Sequence, residues 1–326
     1  MSKKVSIIMP AYNAQNWIKE TIYNIQKQTY TNWELIIVND GSTDDTELLC
    51  QKIAEKDNRI KVLTQSNKGP SAARNFGLSH MTGEYFTIID CDDLLYSNAL
   101  EVYLSTAQKY KADMVIAGFR TINTSTGTVY ESFIPEEMCY RPNSVINTEQ
   151  TERLVKAGLM ASNWNKLYAT DLAKLRFNTE ISLNEDVLFS LTALSQSAIV
   201  AVTPVILYEY RVQNRQSVSR KFHPEFPEAL AELEKQLLFG QKEKLIEGLQ
   251  VWLMNYLYIH LKNICMNDSI NQENKVKCIE AIVRTSLFKK YATVCKADTL
   301  NRKIAVCMLR AHLYKVYISL VRAKRR

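Results

Sequence analysis

Three carboxylates fall within four residues at Asp90-Cys91-Asp92-Asp93, directly after the apolar run FTII. Acids this close repel one another and destabilise a fold unless a cation or hydrogen-bond donors neutralise them. Magnesium or manganese suits the task. Both prefer hard oxygen ligands and usually bind through one or two protein carboxylates, with phosphate oxygens completing the shell. A metal so held bridges a diphosphate and stabilises the charge that develops as it leaves. The competing reading is helix capping by Asp92 or Asp93 ahead of LLYSNALEVYL.

Other groups carry related chemistry. After VSIIM come Pro10, Ala11, Tyr12 and Asn13, and after ELIIV come Asn39, Asp40 and Gly41. Tyr12 offers an aromatic face and Asp40 an acceptor, a pair suited to stacking a base and receiving its ring N–H. Asp40 reads equally as a turn residue, with Ser42 or Thr43 capping the next helix. In NKGPSAARN, a Gly-Pro turn after Lys68 opens a helix whose first turn brings Arg74 to the same edge, to meet a phosphate or to brace Asp90. Glu185 and Asp186 stand at a helix start. They complement the macrodipole there, or one faces a cleft as a general base, typically worth about 10²–10⁴-fold. An Asp with an ordinary pKa of about 3.9 is ionised at neutral pH, so the base role asks for no extreme shift.

These residues need elements to bring them together. Short β-rich runs alternate with helical ones: Val5–Met9, Trp17–Gln28, Glu34–Val38, Thr43–Lys56, Ile60–Leu63, Ser71–His80 and Glu84–Ile89. That alternation predicts parallel βαβ units covered on both faces, and LIIV and FTII read as buried central strands. Ligands of open α/β sheets bind outside the carboxyl ends of the strands, where Asp40 and the Asp90–Asp93 acids are placed. Strands are expected near Asp113–Gly118, Thr128–Phe133 and Val200–Tyr210, with helices near Thr148–Leu159 and Glu185–Ser195. After Pro224 and Pro227 the composition turns to amphipathic helix formers. The expected domains are therefore 1–224, α/β, and 225–326, helical. Neither GxGxxG nor GxxxxGK[ST] occurs, which removes two common nucleotide-binding classes.

The formal net charge of the 326 residues is 41 − 34 = +7, and its distribution says more than the total. Residues 1–224 carry 23 basic against 24 acidic side chains, so the excess lies beyond them; Lys289 to Arg326 holds 11 basic residues and one acid, Asp298. A positive field of this kind favours phosphate-rich partners or an anionic membrane surface, or is a solvated helical face. Nucleic acid is not expected, because the balanced first part offers no continuous phosphate track. Seven cysteines without a CxxC pair fit a reducing cytoplasm. No secretory signal and no membrane span are read; Ile304 to Val321, the nearest candidate, contains Arg310, His312 and Lys315.

VSIIMPAYNAQNWIKETIYNIQKQTYTNWELIIVNDGSTDDT, NKGPSAARNFGL, GEYFTIIDCDD, NWNKLY and NEDVLF together resemble a family 2 glycosyltransferase of the inverting, bacterial surface-polysaccharide type, over roughly residues 4–221. The resemblance implies the GT-A fold, a Rossmann-like, mostly parallel sheet flanked by helices, here followed by a C-terminal helical region. It implies that Tyr12 and Asp40, with Pro10, Ala11, Asn13, Lys68 and Arg74, hold a nucleotide, and that Asp90, Cys91 and Asp92 form the DxD site. Asp92, backed by Asp93, would hold manganese or magnesium. Asp186 would be the base, Glu185 its support on the acceptor side, and Trp164 and Lys166 would line that side. Arg215 and Arg220 resemble the segment that closes over the diphosphate, or belong to a solvated basic loop.

The same resemblance implies single-sugar transfer from a nucleotide-diphospho-sugar, a UDP-hexose or UDP-N-acetylhexosamine, to a hydroxyl of a glycan or lipid-linked acceptor in cell-surface polysaccharide synthesis. Processive members carry a QxxRW motif and membrane spans that are missing here. The basic tail suits work on the cytoplasmic face of the cell membrane, and the Tyr/Leu-rich stretch Val251–Ile264 suits a homodimer surface. The alternative is a catalytically silent nucleotide-sugar binder partnering another membrane-associated transferase, against which intact Asp92 and Asp186 argue.

Overall fold

The computed structural model describes residues 3–142, 148–180, 184–212, 226–238, 247–292 and 300–323. The chain divides into two units, Met1–Ile146 with Ala157–Arg215, and Asn147–Lys156 with Gln216–Arg326. The division thus falls nearer the N-terminus than the composition change at Pro224. One helix expected in the α/β unit groups instead with the C-terminal helices.

In chain order the first unit runs β1 (Val5–Ala11), α1 (Ile18–Gln26), β2 (Trp33–Asp40), α2 (Thr46–Ala54), β3 (Ile60–Gln65), α3 (Pro70–Leu78), β4 (Tyr85–Ile88), β5 (Leu94–Leu95), α4 (Ala99–Tyr110), β6 (Met114–Asn123), β7 (Val129–Ser132) and β8 (Met138–Tyr140). After α5 (Glu149–Lys156) of the second unit come β9 (Lys166–Ala169), α6 (Glu185–Gln196) and β10 (Val200–Val212). Among the described residues the strands form one sheet in the order β3-β2-β1-β4-β9-β6-β10-β5, with β7 beside β6 and β8 beside β10.

β1 and β2 are buried along their whole length, as their unbroken apolar runs require. β1 pairs in parallel with β2 on one side and β4 on the other, and β2 with β3, so the strand order reverses at β1. The register sets Ala11 beside Asn39 and Ile8 beside Ile88. Asp40 therefore ends β2, and Tyr12 and Asp90 follow the neighbouring β1 and β4, at one edge, which is the crevice where such sheets bind ligands.

The far half of the sheet is mixed. β9 runs antiparallel between β4 and β6, a strand of KLYA that sequence patterning does not predict because a lysine sits in it. β10 pairs in parallel with β6, with register shifts between Val202 and Ile206 and between Ile206 and Tyr208. Pro204 lies within the first shift, where its missing N–H is tolerated.

In the second unit, α8 (Glu247–Met266) packs against α5, α7 (Phe226–Leu238), α9 (Gln272–Arg284), α10 (Ser286–Tyr291) and α12 (Tyr314–Ala323), and α12 also packs on α11 (Leu300–Arg310). Leu253, Leu257, Leu261 and Ile264 of α8 are buried, and His260 stacks on Phe226 with 3.8 Å between ring centroids. Among the described residues, no helix is long and apolar enough to cross a membrane.

Candidate active site

The loop after β1 is clamped to the loop after β2. The Thr43 N–H donates to Asn13 Oδ1 at 2.8 Å, and the Asn13 N–H to Ser42 Oγ at 3.0 Å. Asn13 adopts a left-handed backbone (φ 49°), which Asn tolerates, and Tyr12 beside it is 49% exposed while Pro10 and Ala11 stay buried. Asp40 reaches the same edge but is buried. Its Oδ1 accepts from Lys68 N–H (2.9 Å) and Gln65 Nε2 (2.7 Å), and its Oδ2 from Gly69 N–H (2.8 Å). Asp40 thus shapes the 65–69 turn, while the Lys68 side chain points to solvent. Gly41 is required there: at φ +69°, a Cβ would lie 2.8 Å from the Asn67 nitrogen.

The acid cluster after β4 splits into two roles. The Asp90 side chain is 28% exposed and Asp92 is half-buried. Asp93 is fully buried, with Oδ2 accepting from the Tyr208 hydroxyl at 2.7 Å and Oδ1 from Arg211 N–H at 2.8 Å. Asp90 N–H in turn donates to the Tyr208 oxygen at 3.2 Å. Asp93, expected as a metal ligand, instead ties β10 to the acid loop, because both its oxygens are taken and no solvent reaches it. Burial and the neighbouring Asp90 push the Asp92 carboxyl up to about 6, and burial holds the Cys91 thiol well above its usual range.

Arg74 joins this loop to α6. Gly69 (φ +87°) and Pro70 open α3, and Arg74, buried, presents its guanidinium to three acids. Nη2 donates to Asp90 Oδ1 at 3.2 Å, and Nη1 to Asp186 Oδ1 at 2.9 Å and Glu185 Oε1 at 3.3 Å. Burial disfavours the charge of Arg74, but Asp186, Asp90 and Glu185 overcome this and raise its pKa further. One cation facing three carboxylates leaves the cluster short of positive charge. Burial accordingly pushes Asp186 up to about 8, although Arg74 pulls the other way, which departs from the ordinary value assumed from sequence. The side chain of Asp186 keeps 22% exposure.

Asn163 also donates to Asp186 Oδ1, at 2.7 Å. Its neighbours, expected on the acceptor side, are turned inward. Trp164 is buried, stacked on Tyr208 (4.1 Å) and Tyr210 (5.5 Å) and in a T-shaped contact with Phe119 (4.8 Å). Lys166 is buried as well, and its Nζ donates to the carbonyls of Leu159 and Ser162 and to Asn165 Oδ1. Burial drives its pKa well down, so it props the 159–165 segment and does not reach an acceptor. Arg215 and Arg220 lie outside the described residues. Asn163 and Tyr208 are contributors that sequence reasoning missed; the alternation of ILYEYR was the available signal for Tyr208, whose polar tip must find a partner once its ring is buried.

Among the described residues, no group of three His, Cys, Asp or Glu side chains is arranged to hold a metal ion. The Asp90–Asp92 pair still fits a hard divalent cation of the kind that takes one or two carboxylates and completes its shell with phosphate oxygens. Burial raises the Asp92 carboxyl, and like-charged Asp90 beside it adds a repulsion that a cation relieves.

The family profile described as Glycosyl transferase family 2 matches residues 6–171, which span β1 to β9 and include the Asp40, Arg74 and Asp90–Asp93 positions. The chain belongs to that family. Glycosyltransferase GlyA of Streptococcus pneumoniae is 33% identical over 233 residues, covering 70% of this chain and 33% of that protein. The chain thus spans a third of that relative's length. The family 2 chain is also 30% identical over 267 residues to the putative glycosyltransferase EpsH of Bacillus subtilis, covering 80% of this chain and 76% of that one. Its fold is like that of Staphylococcus aureus TarS 1–349 in complex with UDP-GlcNAc, with a TM-score of 0.73 at 21% identity, over 99% of this chain and 91% of the other. That likeness matches the GT-A type of α/β fold expected from the motifs.

Proposed function

We propose that this chain is an inverting, non-processive glycosyltransferase that moves one sugar from a nucleoside-diphospho-sugar, a UDP-hexose or UDP-N-acetylhexosamine, to a hydroxyl of a glycan or lipid-linked acceptor in surface polysaccharide synthesis. The observation that carries it is the Arg74 fork, which gathers Asp90 from the donor side and Asp186 from α6 within hydrogen-bond reach at the crevice where the strand order reverses. The uridine reading draws support from the UDP-GlcNAc complex of TarS, and a metal from the Mn2+ complex of a Pyrobaculum calidifontis mannosyltransferase of related fold (TM-score 0.56).

Tyr12 stacks the base, and Asp40 offers it the remaining acceptor capacity of Oδ2. Asp90 and Asp92 face the ribose and diphosphate; a divalent cation bound with the donor at Asp92 would neutralise the diphosphate. Asp186 takes the proton of the acceptor hydroxyl, whose oxygen forms the new bond to the anomeric carbon as the carbon–oxygen bond to the diphosphate breaks and its electron pair leaves with the nucleotide. A single displacement inverts the configuration. Glu185, sharing Nη1 of Arg74, supports the acceptor side.

The second unit suits a membrane surface. Ile304, Leu313, Val316 and Leu320 are exposed large aliphatics on α11, α12 and the turn between them, within the strongly basic stretch from Lys289. Ile259 of α8, 59% exposed, belongs to the stretch expected to pair two copies. Replacing Leu313, Val316 and Leu320 together by Ser should reduce sedimentation with anionic vesicles; unchanged sedimentation would remove the membrane reading.

The test of the enzymatic reading is release of nucleoside diphosphate from a panel of nucleotide sugars, with manganese, magnesium or chelator, for the parent and Asp92→Asn proteins. A metal-dependent signal for one donor, lost in the variant, is expected. Folded protein that neither releases diphosphate nor shows a donor-induced melting shift overturns the proposal.

A further inference from the structure

The two hydrogen bonds that reach Asp186 from Arg74 Nη1 and Asn163 Nδ2 end on the same oxygen, Oδ1. Among the described residues no donor reaches Oδ2. Two donors lower the basicity of the oxygen they hold. We infer that Asn163 is a positioning residue for the base: by holding Oδ1 jointly with Arg74, it makes Oδ2 the oxygen that takes the acceptor proton and aims it. This rests on the reading of Asp186 as the base.

Three observations carry the assignment. Asn163 is fully buried, and its own Oδ1 has no partner among the described residues. Leaving a buried acceptor unsatisfied is unfavourable, and such a group in a native fold calls for a reason, of which functional strain is one. Turning the amide end for end does not help, because it would set oxygen against carboxylate at the 2.7 Å now spanned by N–H. The orientation is therefore set by Asp186 alone.

The scaffold behind Asn163 is also rigid. Tyr168 donates to its carbonyl at 3.0 Å, buried Lys166 donates to the Ser162 carbonyl, and Ser190 Oγ of α6 donates to the same Ser162 carbonyl at 2.9 Å. That last bond ties the segment bearing Asn163 to the helix bearing Asp186, so donor and acceptor are held from both sides. Locked support of this kind is what a base needs, since a misplacement of about 1 Å can lower a rate about 100-fold.

The experiment uses the full chain, UDP-N-acetylglucosamine hydrolysis as the rate probe and UDP-induced melting shift as the binding probe, for parent, Asn163→Ala and Asn163→Ser. Asn163→Ala should lower kcat about 10–100-fold, leave the UDP shift within twofold of the parent's concentration dependence, and move the pH of half-maximal rate upward. Asn163→Ser, which keeps a donor, should recover part of both effects, and it carries the test if Asn163→Ala does not fold. A kcat and pH midpoint unchanged within twofold overturn the inference, as does parallel loss of the UDP shift. If the parent does not hydrolyse the donor, that failure belongs to the functional reading. The inference is then decided by the Asp186 carboxyl carbon resonance, whose titration midpoint must rise in Asn163→Ala; no change overturns it.

Discussion

Arg74 and Asp186, 112 positions apart in the chain, meet at 2.9 Å through Nη1 and Oδ1, and the same guanidinium holds Asp90 through Nη2. Asp90 and Asp186 are thereby parts of one charge cluster. Removing the cation from it strands three acids, and breaking a buried pair of this kind costs roughly 3–5 kcal/mol. Arg74→Met should lower the melting temperature and abolish transfer together. Arg74→Lys, which cannot fork, should retain most of the stability and lose most of the activity. Thermal unfolding beside a transfer assay separates the two.

As the proposed base, Asp186 must be ionised to act, and its carboxyl is raised to about 8. The rate should therefore fall as pH drops through about 8, tenfold per unit, in a single-turnover profile. Asp186→Asn should leave nucleotide binding nearly intact and remove transfer. A flat profile between pH 6 and 9 would sink the base assignment.

Asp92 is raised from an ordinary 3.8 to about 6, so the folded state holds its proton more tightly than the unfolded state. The ionised form is thus destabilising: the penalty is absent below about pH 4 and complete above about 6. Asp92→Asn should stabilise the metal-free protein at pH 8 by about 1–3 kcal/mol and leave it unchanged at pH 4, while removing metal-dependent donor binding. Denaturant unfolding at the two pH values measures this.

Glu34 shows the opposite sign. Burial alone would raise it, but donors from Ser6, Thr82 and Lys61 outweigh that and hold it at about 2. Its stabilising contribution is present above about 4.5 and is lost as pH falls through 2. Glu34→Gln should destabilise the fold by about 2–3 kcal/mol at pH 7, with the difference shrinking towards pH 2. Equal stability at pH 7 would show that the anchor between β1, β2 and the Thr82–Gly83 turn is dispensable.

The apolar runs VSIIM, ELIIV and YFTI, each followed by polar residues, were enough to place Tyr12, Asp40 and Asp90 at one sheet edge. Strand period and strand-end chemistry are local properties, and a parallel sheet converts them directly into a shared crevice. The same locality made Arg74 legible as a helix-start cation, with its two readings left open. The structure shows the bracing contacts, with the guanidinium donating to Asp90, Glu185 and Asp186.

What the sequence could not decide was which polar side chains would be spent on the fold. Asp92 and Asp93 are adjacent and chemically identical, yet one is half-buried beside Asp90 and the other is sealed under Tyr208 and Arg211 of β10, a strand more than a hundred residues away. Lys166 and Asn163 come from one motif, yet Lys166 props the backbone from within and Asn163 touches Asp186. Residue type and spacing determined the fold class, the crevice and its acids. Burial and long-range partners, which depend on where β9, β10 and α6 pack, decided the role of each.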